Sequence, residues 1–192
     1  VKRLVLVRHG ETEWSASGRH TGRTDVALTP AGESEARALG ASLPTLGVRP
    51  AACRTSPRRR AVETAVLVGL GDGLVVDDRL AELDYGDYEG RTTAEIRAER
   101  PSWDLFRDGC PGGETLEAAA RRADALLADL APDEGDGDVA LAGHGHFSRI
   151  LAARYLGLPP SEARHLALGT ASLSILGHEH EWRALTLWNL RP

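Results

Sequence analysis

Leu4-Val-Leu-Val7 is an unbroken apolar run that gives way at once to Arg8-His-Gly10. Apolar residues without alternation describe a strand buried on both faces, the habit of parallel sheets covered by helices on each side. The polar triplet then falls at the carboxyl end of the strand, where open α/β sheets bind their ligands. The same pattern recurs further on, where Val139-Ala-Leu-Ala142 runs into Gly143-His-Gly-His146. Two buried strands that each end in histidine are the main clue to fold and function alike.

The segments between them read as alternating helices and strands. Thr29 and Pro30 supply an N-cap and a first-turn proline, and Ala36, Leu39, Leu43 and Leu46 follow at helical spacing. Residues 51–55 form a second short strand. Ser56-Pro57 opens another helix by the same cap-and-proline logic, with Ala61, Thr64, Ala65 and Val68 on one side. Residues 74–76 suit a third strand, and 77–91 carry no clean period and read as an ordered loop. Leu116, Ala119, Ala120, Ala123, Leu126, Leu127 and Leu130 mark the clearest amphipathic helix. A Gly- and Asp-rich turn over 134–138 precedes the His-rich strand, and 147–156 looks helical. Alternation in 170–176 and 182–187, joined through Gly177-His-Glu-His180, predicts a closing hairpin. The expected fold is therefore α/β: a three-layer α-β-α arrangement around a mostly parallel sheet. No repeat or linker divides the chain, so one domain over 1–192 is expected.

Composition narrows the function classes. Of 192 residues, 42% are hydrophobic and 27% charged, ordinary globular usage that needs neither disulfides nor metal to hold a core. The formal net charge of −5 argues against a broad nucleic-acid face, which needs clustered cations. No run reaches the length of a membrane span, and no secretory signal is seen in the chain as given. Cys53 and Cys110 lie far apart without ligand spacing and read as free thiols of a reducing compartment, so a cytoplasmic location is expected.

A phosphoryl-transfer site that works without metal needs a nucleophile neutral near pH 7, which imidazole provides. It needs guanidinium groups around the phosphoryl oxygens and an acid for the departing alkoxide. Arg8, His9, Arg60, Glu82 and His144 could supply these parts, although spacing alone does not unite four separate segments.

Resemblance does. Leu6-Val-Arg-His-Gly-Glu-Thr-Glu-Trp14 resembles the signature of the histidine phosphatase superfamily, also called phosphoglycerate mutase-like. The likeness continues in order through Leu28-Thr29 with Gly32, Thr55-Ser-Pro-Arg-Arg-Arg-Ala61 with Glu63-Thr64-Ala65, Leu80-Ala-Glu-Leu-Asp-Tyr-Gly-Asp-Tyr-Glu-Gly90 and Gly143-His-Gly-His146. It implies a phosphoglycerate mutase-like fold in which His9 is the residue phosphorylated. Arg8 and Arg60 would grip the phosphoryl group, Glu82 would donate the proton, and His144 would bond the phosphoryl oxygens. In the family block the conserved arginine stands four residues after the serine, so Ser56 selects Arg60 and leaves Arg58 and Arg59 as solvated charges. Gly145 would leave room for close approach to the ligand. Ser15 stands where most mutases have Asn; serine can still donate one hydrogen bond to phosphate.

Segments around Ser15 to Gly22, Tyr85 to Gly90 and 103–115 look more like two phosphatase subgroups, the fungal sedoheptulose-1,7-bisphosphatase and a group of actinobacterial acid phosphatases. Ser15, Thr21, Gly22, Tyr85, Gly145 and His146 are the expected substrate-binding residues. The loop over 103–115 is expected to line the mouth, with Arg107 a further contact to the distal part of the substrate. Only 61 residues separate Glu82 from His144. Mutases of this family carry a longer insertion there that covers the site, and an open site hydrolyses its phosphoenzyme.

Other residues have blander readings. His178 and His180 fit a solvated turn, and His20 has a modest claim to substrate contact. His144 and His146 lack a third ligand at useful spacing, so no metal and no cofactor are expected. Trp103, Phe106, Trp182 and Trp188 read as packing residues. The leading expectation is a metal-independent phosphatase of small phosphomonoesters, sugar or other metabolite phosphates, acting as monomer or homodimer. Its rivals are a cofactor-dependent phosphoglycerate mutase, a non-catalytic phospholigand-binding module and a metal-dependent hydrolase.

Overall fold

The computed structural model describes residues 3–130 and 137–192. The turn expected over 134–138 lies mostly outside them. Strand β1 (Leu4–Arg8) has its first four residues buried, as an uninterrupted apolar run requires. It pairs in parallel with β4 (Asp138–Gly143), which pairs in parallel with β2 (Pro50–Thr55), and β2 pairs with the short β3 (Val75–Val76). On its other side β1 pairs antiparallel with β5 (Leu173–Glu179), which forms the closing hairpin with β6 (Trp182–Leu190). The six strands lie in the order β3-β2-β4-β1-β5-β6, a mostly parallel sheet closed by an antiparallel edge.

The helices are α1 (Glu13–Ala16), α2 (Pro30–Ser42), α3 (Arg59–Val68), α4 (Thr93–Glu99), α5 (Leu105–Asp108), α6 (Leu116–Leu130) and α7 (Gly145–Tyr155). Two apolar clusters lie around the sheet. One gathers Leu4, Leu6, Leu126, Leu130, Leu141 and Ile150; the other gathers Val5, Val7, Ala36, Leu39, Ala65 and Ala140. Successive residues of β1 thus enter different clusters, as the two-residue period of a strand dictates. Each fully buried Leu or Ile contributes roughly 1.5–3 kcal/mol, enough to fix the register of a strand buried on both faces.

Several expectations need correction. The third helix begins at Arg59, two residues later than the Ser-Pro pair suggested, and its N-cap residue Arg58 makes no side-chain cap. Ser56 Oγ both accepts the Arg58 N–H at 3.3 Å and reaches His144, but residues 56–58 do not take helical form. The segment 103–115 is not simply loop; it holds α5, with α4 just before it. The hairpin turn is shorter than expected, since His178 and Glu179 still belong to β5. Trp182 is 68% exposed, whereas Trp103 and Phe106 are buried and Trp188 is half-buried against the first cluster.

Candidate active site

Parallel register brings the chemistry together. Arg8 is level with Gly143, and Thr55 is level with Ala142, on three neighbouring strands. The residues just beyond those ends are bonded into the same ladder: the His9 N–H donates to Gly143 O at 3.0 Å and the Ser56 N–H to Ala142 O at 2.9 Å. His9, Ser56 and His144 therefore leave the sheet side by side at its carboxyl edge, although 47 and 88 residues part them in the chain.

His9 is 5% exposed, and its Nδ1 lies 2.7 Å from the Gly10 carbonyl. A carbonyl only accepts, so Nδ1 carries the proton and the Nε2 lone pair is left available. Burial, with Arg8 and Arg60 nearby, holds the imidazole well below its usual pKa, hence neutral. His144 is fully buried, its ring centroid 5.3 Å from that of His9, and it is held neutral by burial and by Arg60, His9, Arg8 and Arg58.

Arg60 is also fully buried. Its Nη1 donates to Thr24 O at 2.9 Å, and its Nη2 donates to Thr21 O at 2.9 Å and Gly22 O at 3.3 Å. Thr64 ties its helix to the histidine loop, accepting the Gly10 N–H at 3.0 Å and donating to Arg60 O. The half-buried Arg8 donates to the Leu168 carbonyl. A Cβ on Gly145 would sit 3.1 Å from Arg8 Cζ, so glycine lets this guanidinium lie against the start of α7 without shifting. Among the described residues, the buried side-chain N and O atoms without a hydrogen-bond partner are Nε of Arg8, Arg58 and Arg60, Nδ1 of His144 and Oε2 of Glu35. Native proteins rarely leave such atoms unpaired. Here four of the five belong to cationic or imidazole groups in and beside the site. Arg58 is half-buried rather than the solvated charge expected of it, whereas Arg59 is exposed and pairs with Glu63.

Glu82, 9% exposed, comes from the loop after β3. Its Oε1 accepts the N–H groups of Leu83 (3.0 Å) and Phe147 (2.8 Å), and its Oε2 accepts that of His146 (3.0 Å). A cavity of about 210 Å³ joins Arg8, His9 and Glu82 to Ser15, Arg19, His20, Thr21, Tyr85, Thr93, Gly145, His146 and Arg149.

Five of the six expected substrate contacts line this cavity. Gly22 does not; it stands behind Arg60, its N–H bonded to Glu89 and a Cβ there meeting Leu83 O at 2.3 Å. Ser15 lines the cavity with its hydroxyl engaged in the capping box of α1, donating to Thr12 O at 3.0 Å. Tyr85 Oη lies 2.6 Å from His146 Nδ1, and burial holds both groups uncharged. Arg107 points elsewhere, to a separate depression, and pairs with Asp108. Its segment supplies none of the cavity lining; Trp103 and Phe106 instead buttress His20 and His146 from behind. His20 is buried in the wall, 4.8 Å from the Tyr85 ring. The sequence reading missed Arg19, whose block it quoted without assigning it a role, as well as Arg149 and Thr93. The usable signals were the position of Arg149 on the predicted helix after His144, and the Thr92-x-x-Glu95 capping pattern that starts α4. No group of three or more His, Cys, Asp or Glu side chains among the described residues is placed to hold a metal ion.

The fold and this arrangement are those of a known class: residues 4–191 match the histidine phosphatase superfamily (branch 1), and the chain belongs to it. An acid phosphatase of Mycobacterium tuberculosis is 44% identical over 188 residues, 98% of this chain and 92% of its own. Sedoheptulose 1,7-bisphosphatase of Saccharomyces cerevisiae is 40% identical over 185 residues, 81% of this chain and 68% of the yeast protein. The solved structure of an open reading frame product of M. tuberculosis superposes with a TM-score of 0.94 at 43% identity, covering 99% of this chain and 98% of that one. The phosphatase subgroups expected from the sequence are thus among its relatives. Among the described residues no helix is long and apolar enough to cross a membrane.

Proposed function

We propose that the protein is a metal-independent phosphatase that hydrolyses small phosphomonoesters, sugar or other metabolite phosphates, through a phosphohistidine on His9. The observation that carries this reading is the neutral, buried His9 with its Nε2 unburdened, set among the unpartnered Nε atoms of Arg8 and Arg60 and Nδ1 of His144. Donors fixed in advance around a transferring phosphoryl group stabilise its charge without reorganisation.

In this reading Nε2 of His9 attacks phosphorus while the ester P–O bond breaks. Arg8, Arg60 and His144 hold the non-bridging oxygens, and Glu82 gives its proton to the departing alkoxide. The Glu82 carboxylate then takes a proton from water, whose oxygen attacks the phosphohistidine. The P–N bond breaks, inorganic phosphate forms, and His9 and protonated Glu82 are restored. The cavity is smaller than the roughly 300–1,000 Å³ common for drug-sized ligands, which favours a compact substrate. Hydroxyl and uncharged imidazole groups of Thr21, Tyr85, Thr93 and His146 suit a hydroxylated leaving group.

The deciding experiment is rapid acid and base quench after mixing with labelled substrate. Wild type should yield an acid-labile, base-stable phosphoenzyme that His9→Ala lacks along with all turnover. Equal labelling of the variant would exclude His9 as the nucleophile.

A further inference from the structure

We propose that Ser56 is a positioning residue whose hydroxyl donates to Nε2 of His144, fixing the single proton of that neutral imidazole on Nδ1 as an uncharged donor to the phosphoryl group. The proposal rests on the phosphatase reading for its purpose, but its geometry stands apart. Ser56 and His144 are both fully buried, and Ser56 Oγ lies 2.7 Å from His144 Nε2. A hydroxyl has one hydrogen to give and two lone pairs. One lone pair of Ser56 already accepts the Arg58 N–H at 3.3 Å. No acceptor for the hydroxyl hydrogen other than Nε2 is found among the described residues, so donation to Nε2 leaves both groups satisfied.

The alternative tautomer places the proton on Nε2 and leaves the hydroxyl hydrogen without a partner. It would also leave the buried, unpartnered Nδ1 with a bare lone pair where the phosphatase reading asks for a donor. The charged groups acting on His144 are Arg60, Arg8 and Arg58, with His9 as its titratable neighbour, and all of them oppose a second proton on the ring. A neutral imidazole in this place therefore needs its one proton on the correct nitrogen, and the serine selects it. The Arg58 N–H takes one lone pair of the serine oxygen and leaves the hydroxyl hydrogen for Nε2.

Long-range ¹H–¹⁵N spectra of the resting protein read the tautomer directly, with the His144 signals identified by their loss in His144→Gln. Wild type should show a protonated Nδ1 and an unprotonated Nε2; the reverse pattern overturns the proposal whatever the enzyme's activity. Ser56→Ala should lose this preference and lower kcat/KM about 10–100-fold, the worth of one hydrogen bond to a charged group. It should also weaken binding of inorganic phosphate. Ser56→Thr, which keeps the hydroxyl, should restore the wild-type tautomer pattern. An unchanged tautomer in Ser56→Ala overturns the assignment as well. A wild-type Nδ1–H with no phosphoenzyme would instead count against the phosphatase reading alone.

Discussion

Glu82 Oε1 accepts the Phe147 N–H at 2.8 Å, so a carboxylate from the loop after β3 caps helix α7 from outside it. The N-cap residue of that helix, His144, makes no cap with its own side chain. Its imidazole is thereby free for the site, and Glu82 satisfies the amides of His146 and Phe147 in its stead. The acid proposed to protonate the leaving group is thus held by the helix that carries the second histidine.

This double duty shapes the test of Glu82. If it is the general acid, Glu82→Gln should cut kcat/KM about 10²–10⁴-fold with an alkyl or sugar phosphate. It should cut the same step far less with p-nitrophenyl phosphate, whose leaving group departs unprotonated. Equal losses for the two substrates would reduce Glu82 to an electrostatic or structural role. Glutamine must also turn its NH₂ toward at least one backbone N–H, so unfolding stability should fall by about 1–3 kcal/mol for both assays.

Acid should weaken the fold through His20. Burial lowers its imidazole from the ordinary range to about 4, so between about 6.5 and 4 the unfolded chain binds a proton that the folded one refuses. Stability contributed by the neutral ring is present above the unfolded value and is lost as pH falls toward 4. The slope should reach about 1.4 kcal/mol per pH unit for this group. Urea midpoints measured at pH 7 and pH 5 should differ less in His20→Gln than in wild type, and an identical slope would refute the assignment.

Gly145→Ala places a methyl 3.1 Å from Arg8 Cζ. The guanidinium must give way by a few tenths of an ångström, which should cost kcat/KM about 10-fold, less than the roughly 10² attached to a 1 Å misplacement. Thermal stability measured alongside should change little. A fully active variant would show that Arg8 need not lie against α7.

Exhaustive chelation tests the metal-free chemistry. Activity should survive dialysis against EDTA and gain nothing from added divalent ions. Loss on chelation with recovery by one particular ion would overturn the proposed mechanism.

Much of this was legible in the residues. Continuous burial wrote β1 and β4, and an uninterrupted apolar stripe wrote α6. Their polar followers, Arg8-His9 and His144, could be placed at a carboxyl sheet edge before any contact was known. Local rules failed where a tertiary partner outbid them. Ser56-Pro57 looks like a helix start, yet the serine is drawn to an imidazole 88 residues away. Gly22 sits in a block rich in expected substrate contacts, yet its carbonyl is bound to Arg60. Short helices such as α5 bury only Leu105 and Phe106 and leave too brief a period to detect. Arg149 could be assigned to a helix but not to a cavity, because that requires the position of the neighbouring loops.

The ladder that joins His9 N–H to Gly143 O runs through the middle of the sheet, with β4 and β5 flanking β1. Amides in such a position exchange with solvent only when the whole structure opens. The proposed nucleophile is therefore expected to ride on a slowly exchanging part of the molecule, while the segments around Ser15 to Thr21 and Tyr85 to Thr93 that line the same cavity lie outside the sheet. Replacing those rim segments with others should redirect which ester is accepted while leaving the phosphoryl-transfer machinery in place, so chemistry and choice of substrate are open to separate evolution.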